Sequence, residues 1–209
     1  HLRNVVLLDG RPVPFDCIEF NADLRWIDVM SEVAFVAMDL EDRGRRDFAW
    51  RFLGRYLEAT GDYAGLAVLP FYLVYRALVR AKVTLLRAAQ TASDAGPQRA
   101  AARRYLELAL RFGGSVAGAS AAALLITHGP SGSGESKATL SLVEASGAVR
   151  IRADVERKRL AGLDAHARSG SALNSGLYTH AATRATYERP RAPAQPAPLP
   201  IERPAPVAQ

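Results

Sequence analysis

The 209-residue chain predicts a mostly α-helical fold with one small β-hairpin, followed by the opening βαβ of an α/β domain and a disordered tail. Three observations carry this reading. Asp9-Gly10 separates two short apolar runs near the start, and apolar residues then recur at helical spacing as far as about Phe112. Beyond that, a continuous apolar run at 122–127 leads straight into a glycine-rich stretch at 129–134.

Residues 5–16 read as the hairpin. Val5-Val6-Leu7-Leu8 is an apolar strand, Asp9-Gly10 is the turn, and the return strand begins at Val13 to Phe15. Pro12 and Pro14 predict an edge position for that return. Asp23 is placed to cap a helix over about 24–40, with Ile27, Met30, Ala34, Phe35 and Met38 at helical spacing and Gly44 beyond its end. A second helix covers about 46–59, with Phe48, Phe52, Leu53 and Tyr56 on one side, and breaks at Gly61. A third covers about 66–90, with Pro70 in its first turn or as a kink. After a loop at 91–96, Pro97 opens a helix to about Phe112.

Gly113, Gly114 and Gly118 mark a flexible junction. The run 122–127 predicts a buried parallel strand, 137–146 a helix and 149–152 a second short strand, which together make a βαβ start. Residues 155–163 and 181–188 read as further helices. Seven of the last 20 residues are proline, a composition that predicts an extended, disordered tail.

Composition excludes several classes. A single cysteine, Cys17, rules out an internal disulfide framework, and its place in an apolar segment predicts a buried packing role. No apolar run reaches the ~18 residues of a membrane-spanning helix, and no secretory signal follows His1, so a cytoplasmic location is expected. The 27 basic residues exceed the 21 acidic ones, and the excess sits late: residues 150–209 hold 10 basic and 5 acidic side chains. Such a stretch attracts phosphate-bearing ligands or forms a solvated face and tail. No aromatic residues interleave with the arginines, so a nucleic-acid partner ranks last. Arg76, Arg80 and Lys82 read as a solvated helix face, with a substrate groove as the other possibility.

Two stretches carry phosphate chemistry. The first is His1-x-x-Asn4 followed by Asp16 at the far end of the hairpin. An Asn amide oxygen and an Asp carboxylate are two hard donors of the kind magnesium needs, although Asn and Asp near turns also serve as caps. The second is Gly129-Pro130-Ser131-Gly132-Ser133-Gly134-Glu135-Ser136. A P-loop reads G-x-x-x-x-G-K-[ST] between a strand and a helix, where backbone N–H groups cradle phosphate. Here Glu135 stands at the lysine position, and a unit charge of the wrong sign at about 4 Å matters by roughly 4 kcal/mol at an effective dielectric of 20. A shifted register makes Lys137-Ala138-Thr139 the equivalent of the usual K-S-T, which supplies the lysine and loses a hydroxyl at Ala138. The candidate phosphate-binding residues are Gly129, Ser131, Gly132, Ser133, Gly134, Ser136, Lys137 and Thr139. A glycine-rich turn without phosphate is the competing reading.

The wording around these residues resembles known kinases. His1-Leu2-Arg3-Asn4, Phe15-Asp16-Cys17-Ile18-Glu19-Phe20-Asn21 and Leu24-Arg25-Trp26-Ile27-Asp28 resemble the C-terminal lobe of aminoglycoside phosphotransferase-like kinases, with their H-G-D-x-H-x-x-N loop and later metal-binding Asp. The resemblance implies that Asn4 and Asp16 hold magnesium on ATP, that Asp28 anchors the loop, and that the catalytic base lies two residues before His1. Ile151-Arg152-Ala153-Asp154-Val155-Glu156-Arg157 resembles the second strand and D-x-x-R of small P-loop kinases. That implies Asp154 as acceptor of a hydroxyl proton and Arg157 as holder of an anionic substrate; on spacing alone, Asp154 as a helix N-cap with Arg157 exposed fits equally.

In this order the two parts resemble bacterial bifunctional aminoglycoside phosphotransferase/ATP-binding proteins, over about residues 1–189. The implied layout is an incomplete phosphotransferase lobe at 1–112, a partial P-loop kinase-like domain at 113–189 and the tail at 190–209, so the chain reads as a fragment or a frame-shifted product. The implied reaction is transfer of the γ-phosphoryl group of ATP, with Mg2+, to a small hydroxyl-bearing substrate, and this chain is expected to be impaired in it. The alternative is a catalytically dead nucleotide-binding or interaction module.

Overall fold

A computed structural model of the chain describes residues 1–90, 95–117, 123–129, 133–165, 167 and 176–188. The chain divides into two compact units, His1–Arg152 and the stretch from Ala153 onward. The first holds strands β1 (Val5–Leu8) and β2 (Arg11–Pro14) and helices α1 (Val29–Asp42), α2 (Arg46–Thr60), α3 (Leu69–Gln90), α4 (Gly96–Ala117) and α5 (Glu135–Ser146). The second holds α6 (Ala153–Leu160) and α7 (His180–Glu188). The fold is mostly helical with a two-stranded antiparallel sheet.

The hairpin forms as its sequence predicts. Asp9 and Gly10 both take positive φ, 50° and 73°, the left-handed pair that matches the twist of a two-residue turn. Val6 faces Val13, Leu7 faces Pro12 and Val5 faces Pro14. Pairs in an antiparallel ladder alternate between hydrogen-bonded and not, and the pair closing a two-residue turn is bonded. Both prolines therefore fall at positions that ask for no N–H.

Helix α1 starts later than expected. Asp23 opens only a short 3-10 turn, Asp23–Arg25, and Trp26 leaves helical geometry. The cap is Asp28, whose extended backbone lets Oδ1 accept from Met30 N at 2.9 Å. Gly61, at φ 75°, ends α2, and Pro70 sits in the first turn of α3. Helix α4 runs through Gly113 and Gly114 to Ala117 instead of ending at a junction, because its earlier turns are held against α3.

Two clusters form the core of the first unit. Met30, Val33 and Ala34 of α1 pack with Leu53 and Leu57 of α2 and with Leu69. Two turns along α1, Met38 packs with Ala77 and Ala81 of α3 and Tyr105, Leu108 and Ala109 of α4. Arg76 and Arg80 are not a solvated face. Arg76 donates from Nε to Ser31 O and Oγ at 3.2 and 3.1 Å, pairs with Glu32, and lies over Phe35, tying α3 to α1. Arg80 is buried; Lys82 alone of the three is exposed.

Helix α5 is anchored to α2. Gly147, left-handed at φ 74°, lies so close to Trp50 that a Cβ there would stand 2.7 Å from the indole. Arg51 pairs with Glu144 at 3.5 Å. Arg150 reaches the buried Glu58 with Nε at 3.0 Å and donates from Nη1 to Thr139 Oγ1 at 3.1 Å.

The two predicted strands flanking α5 do not form. Among the described residues the hairpin is the only sheet, and 123–129 and 147–152 carry no ladder. A parallel strand needs a hydrogen-bonded neighbour, and none among the described residues lies beside 123–129; Leu124, Leu125 and Ile126 are 86%, 67% and 79% exposed. Cys17 is exposed instead of packed, in a segment without regular structure that follows the positive φ of Asp16. Residues 190–209, the expected tail, lie outside the described residues.

Glu58→Ala removes the buried carboxylate that Arg150 reaches and should cost about 2–3 kcal/mol in urea unfolding, with amide protection falling first in α5. Burial, then the 2.8 Å bond to Asp62, pushes the Tyr56 phenol up to about 12. The folded chain thus holds this proton more tightly than the unfolded one, near 10, so the contribution is complete below about pH 10 and is lost as pH rises to about 12. Tyr56→Phe should cost about 1 kcal/mol near neutrality and flatten the alkaline decline, read as urea midpoints at about pH 8 and 11.

Candidate functional site

The glycine-rich turn is built around the start of α5. Ser131 and Gly132 lie outside the described residues; Gly129, Ser133 and Gly134 frame them. Gly134 is the N-cap, at φ 84° and ψ 11°, a conformation that L side chains rarely adopt. Its carbonyl accepts from Lys137 N at 2.9 Å and Ala138 N at 3.1 Å, which starts the helix at once. The positive end of the helix dipole therefore opens directly onto the turn.

An acidic side chain already occupies that turn. A Cβ built on Gly129 would stand 2.7 Å from Ser133 Oγ and 3.1 Å from Glu135 Oε1, so Glu135 folds back from the first helical position against Gly129. Its Oε1 is buried and accepts no hydrogen bond. Lys137 lies exposed on the second half of the first turn. Ser136 falls between them in that same turn. Thr139 donates to Glu135 O at 2.7 Å and accepts from Arg150, so its hydroxyl is engaged inside the protein.

The hairpin brings Asn4 and Asp16 together as the sequence suggested. Phe15 N donates to Asn4 O at 2.9 Å, one step beyond the ladder, and the left-handed Asp16, φ 62°, turns its carboxylate to within 3.5 Å of Asn4 Nδ2. The amide nitrogen faces Asp16 in this assignment, and a half-turn of the amide presents the oxygen instead. Among the described residues no group of three or more His, Cys, Asp and Glu side chains gathers at metal-binding distance. Asp28 does not hold the segment before the hairpin: its carboxylate goes to Met30 N and to the Tyr72 hydroxyl. Asp39, buried in α1, does so by accepting from Leu2 N at 2.9 Å.

In the second unit, Asp154 lies inside the first turn of α6 and not at its N-cap. Lys158 Nζ pairs with its Oδ2 at 3.0 Å and also donates to Ala165 O. Arg157, one turn on, is 5.0 Å from the Tyr178 ring centroid, and its buried Nε has no hydrogen-bond partner. Asp154 and Arg157 are thus neighbours on one helix. Sequence reasoning missed Glu58 and Arg150, which control Thr139 from 81 and 11 residues away and belong to no motif.

A family profile described as AAA domain matches residues 124–196. Uncharacterized proteins of Mycobacterium bovis and of two strains of Mycobacterium tuberculosis are 36% identical to the chain over 185 residues, 88% of its length and 36% of theirs. The chain thus spans about a third of the length of the curated relatives it matches. No solved structure matches it. No helix among the described residues is long and apolar enough to cross a membrane. Over residues 124–196 the chain is similar to an AAA domain, a P-loop nucleotide-binding module of kinase-like character.

Proposed function

We propose that the turn at 129–139 receives the phosphates of ATP in a kinase-like phosphotransferase, and that Glu135 holds it in a weakened state. The observation that carries this reading is the left-handed Gly134, which opens α5 directly behind the glycine-rich turn, inside the stretch similar to an AAA domain. Backbone N–H groups at a helix start bind phosphate oxygens without requiring a particular side chain. The Glu135 carboxylate lies against the same turn and competes with phosphate for it.

The rest of the reading extends to both units. Residues 1–112 would be the C-terminal lobe of an aminoglycoside phosphotransferase-like kinase and 113–189 part of a P-loop kinase-like domain. Magnesium fits the donor chemistry of Asn4 and Asp16, two hard oxygens once the amide is turned, with water and phosphate completing its shell. Held there, it would supply positive charge to the phosphates of an ATP bound by the phosphotransferase-like lobe, a site separate from the turn at 129–139. Asp154 would take the proton of an attacking hydroxyl and Arg157 would hold an anionic group of the acceptor, a small hydroxyl-bearing molecule.

Glu135→Lys restores the G-x-x-x-x-G-K-S pattern and should tighten Mg–ATP binding by at least about tenfold, ~1.4 kcal/mol, in a calorimetric titration. A variant that binds no better than the parent would remove the phosphate-site reading. ATP turnover by the parent chain should stay at background; turnover lost on Asn4→Ala or Asp154→Ala would instead show an unimpaired enzyme.

A further inference from the structure

A basic cavity lies away from the glycine-rich turn. It has a volume of about 510 Å3 between α3 and α4, and its walls include Arg3, Arg80, Arg87, Arg104, Gln98 and Tyr105. Among the described residues no acidic side chain lines it. The size is that of a small-molecule site, for which a few hundred Å3 is usual.

Arg80 is the informative residue. It is 6% exposed, yet its Nε has no hydrogen-bond partner. Among the described residues no carboxylate pairs with its guanidinium, whose neighbour is the Tyr105 ring with its centroid at 5.5 Å. A buried charge without a counter-ion is costly, and proteins ordinarily pair it. Arg76, one turn earlier on α3, shows the ordinary case with Glu32 and Ser31. Gln98 Oε1 is likewise buried without a partner at the same cavity. Arg104 has a carboxylate within reach, Asp42 at 3.7 Å, on a side chain that is itself 58% exposed. The first two turns of α4 contribute Pro97, Gln98 and Ala101 to the wall, which adds the positive end of a long helix.

We infer that this cavity binds a small, multiply charged oxyanion, one bearing phosphate or carboxylate groups, with Arg80 at its floor and Arg3 and Arg104 at its rim. Guanidinium groups bind both oxyanions through paired N–H donors. A polycationic ligand is excluded from it by the same charges. The site uses no residue of 129–139, so it stands or fails independently of the nucleotide reading.

The test is a calorimetric titration of the full chain with inorganic pyrophosphate and, separately, with citrate, both without magnesium. Saturable one-to-one binding of at least one probe is expected, with pyrophosphate alone assigning a phosphate ligand and citrate alone a carboxylate one. Arg80→Gln and Arg104→Gln should each weaken it by about tenfold or more, as for loss of a charge-assisted bond, while Lys137→Ala leaves it unchanged. Circular dichroism checks the buried Arg80→Gln; if that variant fails to fold, the rim variant Arg104→Gln decides. Absence of saturation with both probes overturns the inference. So does binding that survives in the pocket variants, or that is lost in Lys137→Ala.

Discussion

Everything in the first unit hangs on the buried stripe of α1. Met30 and Met38 are both fully buried, and eight residues of helix, about 12 Å, separate them. One enters the cluster with α2 and the other the cluster with α3 and α4. A single rigid helix thus sets the distance between two cores. Its polar side chains then fix what surrounds them: Asp39 holds Leu2 just before the hairpin, Ser31 and Glu32 hold Arg76, and Asp28 caps the helix and reaches Tyr72. The Asn4–Asp16 pair is carried by that hairpin, and the glycine-rich turn is carried by α5 through α2.

Arginine plays three different parts in this unit, and burial with or without a partner separates them. Arg76 and Arg150 are half-buried and answered by carboxylates, so they act as ties between elements. Surface residues such as Arg103, paired with Glu107 on the same helix, contribute at most a few tenths of a kcal/mol, about 0.3–0.5 for such a pair. Arg80 is more buried than either tie and, among the described residues, has no anion of its own. A tie saves its desolvation cost within the chain, whereas Arg80 leaves it for something outside the chain to offset.

The glycine-rich turn shows how a backbone design and a side-chain design separate. On the proposed reading, Gly134 in the left-handed region and the helix behind it supply an anion site through backbone groups alone. Glu135 puts a carboxylate against the same cradle, and Arg150 draws the Thr139 hydroxyl toward Glu58. On that reading, conversion to a phosphate-friendly turn lies one charge away.

Local rules were sufficient for much of this protein. The left-handed Asp9-Gly10 turn, the prolines at unbonded ladder positions, the stop at Gly61, the approach of Asn4 to Asp16 across the hairpin and the glycine turn before α5 all follow from backbone preferences within a few residues. Capping was legible only in part, since Asp23 and Asp28 compete on equal chemistry and the helical break at Trp26 chose the later one. Strand formation was not legible at 122–127 and 149–152, because an apolar run states what is compatible with a sheet and only a hydrogen-bonded neighbour makes one. Spacing put Arg76, Arg80 and Lys82 on one helix; the packing of α1 and α4 decided that the first is a tie, the second a buried cation unpaired among the described residues and the third a solvated charge. The partners of a charge are set by elements far away in sequence, so its function emerges only when the helices meet.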